Sequence, residues 1–357
     1  MQKDDIIIRK AIVHILDYHK GHLGLSETML EPNEDLNDFI RGHIYRLMSS
    51  DDMKKCRFNE ENSPIYSMLE TFDENEEEEF KSVSGKVAEL IFEVMCDSGE
   101  IPSADFVMAS FQVESTVHLA FLKMNYKENY IHREVEREIV VLKDEDIYEE
   151  GEEATEIIKQ NDIIKQRIIL PSETSRLSEA VIINLKTMEV RLVEKKYEVL
   201  GEKINYLSEK VLYCHADLPA KKKLNILTKA IQDINNKYDD RDIQSKMEAK
   251  SILQQEFVEN QEFNVSDIGD KIFGNHTAMK QDFDEVLERY DMQYDTFTVA
   301  NESTVKKLEK QVLITDTGIE IKIPMEEYNT KSNVEVIEEP GGGKTIIIKN
   351  IENLTLK

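Results

Sequence analysis

Long apolar runs are missing from this 357-residue sequence. No stretch approaches the roughly 20 consecutive apolar residues that a membrane-crossing helix needs, so no membrane association is expected. The first residues, MQKDDIIIRKAIV, put two acids ahead of a short apolar run and offer no small-residue cleavage site, so they do not read as a secretory leader. Cysteine is scarce: Cys56, Cys96 and Cys214 lie far apart, and an odd number cannot all pair within one chain. That argues against a disulfide scaffold and predicts a reduced, cytoplasmic protein. No internal repeat is found. Signatures such as GxSxG and HExxH do not occur, and no Cys–His spacing matches a nucleophile with its base. Acids are so abundant that paired carboxylates have no diagnostic value. The sequence therefore gives no argument for an enzyme, and neither a catalytic residue nor a cofactor is expected.

Acidic residues are what the chain has in excess: 72 of them against 45 bases, a net charge of −27. So acidic a body repels a phosphate backbone at long range, and neutralisation of phosphates by Lys and Arg is the main source of DNA affinity. The charge is uneven, however. Residues 1–157 carry a net of −21, residues 158–230 a net of +5, and residues 231–357 a net of −11. Salt screens exposed charges beyond about 8 Å, so a basic block between two acidic ones can still meet phosphates. Its lysines are the candidate DNA contacts. Lys195 and Lys196 follow a hairpin pattern, Lys203 and Lys210 stand two helical turns apart, and Lys221, Lys222, Lys223 and Lys229 decorate the polar side of a following helix. Ammonium groups so spaced suit phosphate contact without base reading. The plainer reading is a solvated helix face offsetting nearby acids. Lys306, Lys307 and Lys310 lie outside the block and are read as ordinary polar surface.

Apolar periodicity sets out the elements. Ala11–Tyr18 and His22–Leu30 alternate in the strand manner around Lys20-Gly21, a hairpin pattern. Asn33 is placed to cap a helix carrying Leu36, Phe39, Ile40, His43, Ile44 and Leu47, and a second helix runs from Phe80 to Val94 towards Gly99. Phe106–Val113 with Val117–Met124 reads as another hairpin, as does Ala180–Leu185 with Glu189–Val193. Helical spacing then predominates at 204–212, 224–234 and 279–290, and the tail returns to strands at 312–323, 334–337 and 345–351. Hairpins segregated from helices, without β-α alternation, indicate an α+β fold. Two domains are expected, 1–157 and 158–357, meeting within residues 143–176, where the stretch 143–156 is polar and acidic, the second with a helix-rich middle and C-terminal hairpins.

Three motifs invite sharper readings. GGGKT in the tail looks like a phosphate loop, but Glu338 stands where that loop needs a glycine and a strand pattern follows, so a hairpin turn is the better account. His14, Asp17, His19 and His22 fall within nine residues, yet strand alternation sends Asp17 and His19 to the opposite face from His14, so no metal is expected. Residues 264–291 suit a helix–turn–helix, but its second helix bears Asp282, Asp284, Glu285 and Glu288 and would meet phosphates badly.

The order of segments resembles the nucleoid-associated protein family of the NdpA type along nearly the whole chain. The stretches that carry the resemblance are KAIVHILDYHKGHLGLSETMLEP, NLKTMEVRLVEKKYEVLGEKINYLSEKVLYC, FNVSDIGDKIFGN and the tail ITDTGIEIKIP with GGGKTIIIKNI. The resemblance implies association with the bacterial nucleoid, DNA binding and no enzymatic activity; the expectation built on it is a cytoplasmic homodimer that contacts phosphates without sequence preference. The −21 balance of residues 1–157 supports an alternative, an acidic module that presents a DNA-like surface to a protein acting on DNA or in defence.

Overall fold

The alternating apolar residues at the start become an antiparallel pair in the computed structural model, which describes residues 1–142, 153–239, 243–329, 333–339 and 343–353. Strand Ile6–Asp17 turns through Tyr18–Lys20 and returns as His22–Gly24. Its other edge pairs with Ala104–Val113, and Thr116–Asn125, Ala180–Asn184 and Val190–Val193 continue the sheet, each pair antiparallel. Residues 106–111 are all buried, so this part of the sheet is covered on both faces and the period-two pattern disappears there. Helix Glu77–Ser98 buries Phe80, Val83, Val87, Ile91 and Met95, which recur at three- and four-residue spacing. Three glutamates favour its N-terminus electrostatically, and Gly99, at φ 68°, ends it by donating its N–H to Met95 O at 3.0 Å.

The fold is α+β, and the chain divides into two compact units. The first comprises residues 1–46 and 57–215, the second residues 47–56 and 216–357. The 157/158 junction expected from the sequence falls inside the return strand of a long hairpin of the first unit, Lys127–Leu142 paired with Glu153–Ile169. Polar, acidic composition marks the connection of that hairpin, residues 143–152, which lie outside the described residues.

Within the first unit, His14 is 1% exposed. Ser26 N–H donates to Nδ1 at 3.0 Å, which places the ring proton on Nε2, from where it reaches Ser84 Oγ at 3.0 Å. Both ring nitrogens are therefore engaged, and burial pulls the imidazole pKa from 6.5 down to about 4. Because the unfolded chain takes up this proton first, stability should fall as pH drops from about 6.5 to about 4 and be fully retained above. The loss due to this group is roughly 3 kcal/mol. Urea unfolding of the protein and of His14→Gln across that window measures it; equal pH slopes for both would remove His14 as the cause.

A buried ion pair lies deeper. Lys123 and Glu179, 2% and 0% exposed, approach at 3.4 Å. Lys123 also donates to Pro102 O and Asn125 Oδ1, while Glu179 accepts from Tyr206 OH at 2.6 Å, Asn125 Nδ2 at 2.6 Å and Tyr197 OH at 3.3 Å. Burial pushes the lysine pKa down and both tyrosine pKa values up. Every polar atom of the pair has a partner, the condition for keeping charges in an apolar interior.

The second unit is helical around one core. Helices Ala220–Asp239, Ile243–Asn260, Val265–Phe273, Thr277–Glu288 and Glu302–Glu309 converge on Leu224, Leu227, Ile231, Leu253, Phe263, Ile268, Phe273, Phe283 and Leu287. Three antiparallel strand pairs accompany them: 262–264 with 296–298, which closes over two of the helices, and the hairpins 310–314 with 320–324 and 334–338 with 344–348. Gly269 lets two helices approach closely, since a Cβ there would stand 2.6 Å from Phe283 Cε1. Segment 47–56 belongs here through Asp51, which ties down the turn leading into helix Glu302–Glu309: it accepts from Ala300 N at 2.7 Å, Asn301 N at 3.0 Å and Thr304 Oγ1 at 2.7 Å, while Asn301 itself caps the helix by accepting from Ser303 N at 2.9 Å.

Candidate nucleic-acid interface

The eight lysines expected to touch DNA are divided between the two units. Lys195, Lys196, Lys203 and Lys210 belong to the first and are all exposed. The helix expected over 204–212 is a strand, Glu202–Ile204, followed by a single π-helical turn, Leu207–Val211, so Lys203 and Lys210 sit on different elements rather than on one helix face. Short apolar spacing here reflects Ile204, Leu207 and Val211 all being buried, which a strand and a turn achieve as well as a helix. Lys221, Lys222, Lys223 and Lys229 lie on helix Ala220–Asp239 of the second unit. Lys221 is ion-paired with Asp52 at 3.0 Å, and Lys223 with Asp295 at 2.7 Å in a mostly buried contact. Lys222 and Lys229 are exposed.

The second unit concentrates further lysines in a groove of about 680 Å³ between helices Ala220–Asp239 and Ile243–Asn260, helix Glu302–Glu309 and strand Lys310–Ile314. Five lysines line it: Lys246, Lys250, Lys306, Lys307 and Lys310. Among the described residues no carboxylate lines it, in a chain with 72 acids. Ile231, Ala249, Leu253, Leu308 and Val312 give it an apolar floor, and Thr228, Gln232, Asn235, Asn236 and Gln311 add neutral hydrogen-bonding groups. Lys246 and Lys250 share a helix face at four-residue spacing. Lys250 Nζ donates to Lys310 O at 2.6 Å, which holds the strand against the helix, and Lys307 Nζ donates to Asn225 Oδ1.

Positive charge is crowded at this place. Burial and, after it, the Lys307 ammonium push the Lys250 pKa down; burial and the Lys221 ammonium do the same to Lys307. Each of these groups gains by meeting an anion, because an anion offsets both the desolvation and the mutual repulsion. Among the described residues no aromatic side chain lines the groove, so they make no platform for stacked bases; what they offer is cations and amide donors at the reach of a phosphate backbone. The groove is lined by Lys306, Lys307 and Lys310, which the sequence read as ordinary surface, and by none of the eight lysines it singled out; Lys221 is near enough to repel Lys307 but does not line it. Helix Ile243–Asn260 escaped the sequence reading altogether, because its buried residues Met247, Ala249, Ser251, Leu253 and Glu256 form no apolar stripe at helical spacing.

The remaining motifs resolve quietly. Strand Lys344–Ile348 follows GGGKT, so no helix N-terminus is offered to a phosphate there; residues 340–342 lie outside the described residues. Helices Val265–Phe273 and Thr277–Glu288 form as expected, and Asp270, Asp284, Glu285 and Glu288 line a shared surface hollow hostile to phosphates. Ser303 and Lys306 stand at Ser-x-x-Lys spacing, but both are exposed on helix Glu302–Glu309 and no enclosed site holds them. Asp17 pairs with Lys20 at 3.0 Å, away from His14. Among the described residues no three His, Cys, Asp or Glu side chains gather as metal ligands would, and no helix is long and apolar enough to cross a membrane.

The family described as nucleoid-associated protein YejK matches residues 12–355, which spans both units. None of the curated proteins matches the chain.

Proposed function

The chain belongs to the nucleoid-associated protein YejK family, and from that premise we propose that it binds duplex DNA through the lysine groove of its second unit, as a cytoplasmic protein of the nucleoid without enzymatic activity. The observation that supports this most is a groove lined by five lysines, with no carboxylate among its described lining residues, in a protein of net charge −27. Its contacts are to phosphates, which fix position and carry no sequence information, so binding is sequence-nonspecific. Lys221, Lys222 and Lys229 border the same helix and extend the basic surface. Lys195, Lys196, Lys203 and Lys210 form a second, more dispersed set in the first unit. Self-association fits this reading, since two copies on one duplex multiply weak phosphate contacts through effective concentration.

Salt titration tests it. If the groove holds about four phosphates, log affinity against log salt should fall with a slope near −3.6, equally for duplexes of unrelated sequence. Binding that is absent at about 50 mM salt, or indifferent to salt, sinks the proposal. The acidic surface of residues 1–157 then moves forward, as a docking face for a protein that acts on DNA.

A further inference from the structure

Duplex phosphates account for the lysines of the groove and for little else in it. They have no apolar surface to lay on Ile231, Leu253, Leu308 and Val312, which make its floor. Nor do they account for Asn235. This side chain lines the groove and is only 5% exposed, yet its amide makes no hydrogen bond among the described residues. A buried amide left unbonded costs stability, so folded proteins seldom keep one without a use. It offers two N–H donors and a carbonyl acceptor side by side. Gln232 and Asn236, exposed beside it, line the groove as well.

We infer that the groove also takes a nucleoside polyphosphate, its phosphates among the five lysines and its base on the aliphatic floor, polar edge to Asn235. Three observations select this chemistry. Five ammonium groups crowd one place, with no carboxylate among the described lining residues, and a triphosphate concentrates about four negative charges on one small group. An acidic peptide spreads its carboxylates instead, about 7 Å apart along one side of a strand. The volume of about 680 Å³ holds one small molecule and lies within the range of such sites, about 300–1,000 Å³. Lastly, a base has apolar faces and an edge of adjacent donors and acceptors, which an Asn amide meets with two bonds at once. Aliphatic side chains suffice beneath it, because its faces gain by leaving water whether or not a ring lies opposite. The described lining residues include no carboxylate to hold a magnesium ion, so the lysines stand in for the metal. The inference shares the groove with duplex binding without resting on it, and the two ligands compete for the same ammonium groups.

Calorimetric titration of the full chain at about 50 mM salt, with no DNA present, decides it. The probes are ATP, GTP, inorganic tripolyphosphate and adenosine. ATP or GTP should bind at least about tenfold more tightly than tripolyphosphate, and adenosine should give no signal at about 1 mM. Magnesium in excess should weaken nucleotide binding, since it neutralises the phosphates that the lysines hold. Asn235→Ala should lower nucleotide affinity at least about fivefold and leave tripolyphosphate unchanged, because it removes the amide and no charge. Should that variant misfold, the comparison of nucleotide with tripolyphosphate on the wild type still decides. Nucleotides that fail to bind, or that bind no tighter than tripolyphosphate, overturn the inference. So does binding that needs magnesium, or that a folded Asn235→Ala leaves intact. A Glu-Leu repeat peptide bound more tightly than ATP overturns it too, in favour of an acidic peptide. Duplex binding without nucleotide binding defeats this inference alone, and nucleotide binding without duplex binding defeats the duplex reading alone.

Discussion

Lys306→Glu/Lys307→Glu/Lys310→Glu is expected to reduce duplex affinity by about 100-fold or more at about 0.1 M salt and to lower the magnitude of the salt slope by about 2.7, roughly 0.9 for each phosphate that is no longer neutralised. All three side chains are exposed, so the fold should lose little. Lys250→Gln probes the floor of the same groove with less charge change, at the cost of its bond to Lys310 O. The informative comparison is Lys195→Glu/Lys196→Glu/Lys210→Glu, an equal charge change on exposed lysines of the first unit. If groove and first-unit variants lose affinity equally, net charge rather than the groove governs binding. Lys221 and Lys223 are poorer probes, because reversing them opposes Asp52 and Asp295 and perturbs the start of helix Ala220–Asp239 as well.

The largest effect on stability should come from the buried pair. Glu179→Ala leaves the Lys123 ammonium without its counter-charge, and Tyr206, Tyr197 and Asn125 without their acceptor. Breaking such a pair from one side costs about 3–5 kcal/mol, a large fraction of the roughly 5–15 kcal/mol that holds a domain folded. Lys123→Met/Glu179→Gln removes both charges and keeps an acceptor for the tyrosines, so it should recover to within about 2 kcal/mol of wild type. Urea midpoints with unchanged m-values measure both. A Glu179→Ala variant less than about 1 kcal/mol below wild type would show that the network contributes little.

Most elements were legible where one face is buried and the other solvated. Asn33 caps Glu34–Met48 through a 2.8 Å bond from Leu36 N, and Gly99 ends Glu77–Ser98, as their positions after and before apolar periodicity predict. The hairpins at 104–125 and 180–193 were equally plain. Legibility failed for three physical reasons. Helix Ile243–Asn260 buries Ser251 and Glu256 along with its apolar residues, so no stripe announces it. Hairpin 127–169 carries charges on both strands, which reads as loop when one expects a covered face. The groove is assembled from residues as far apart as Thr228 and Val312, and no spacing along the chain marks lysines that only folding brings together. For the same reason the net charge of a segment located Lys221 but not Lys307, which it repels, nor Lys250, which Lys307 repels in turn.

The hold that Asp51 takes on the turn before helix Glu302–Glu309 also sets a clock. Asp51 leaves the ribosome 250 residues ahead of Asn301, whose amide it receives. At about 5–20 residues per second, roughly 12–50 s of synthesis separate the two. During that interval the carboxylate waits in an unfinished unit while the whole of residues 57–215 is made and can fold. The first unit is thus free to complete itself first, and the helix that bears Lys306 and Lys307 is secured only afterwards. The lysine groove therefore comes into being after the first unit can fold, and a nascent chain stalled before residue 300 has yet to build it.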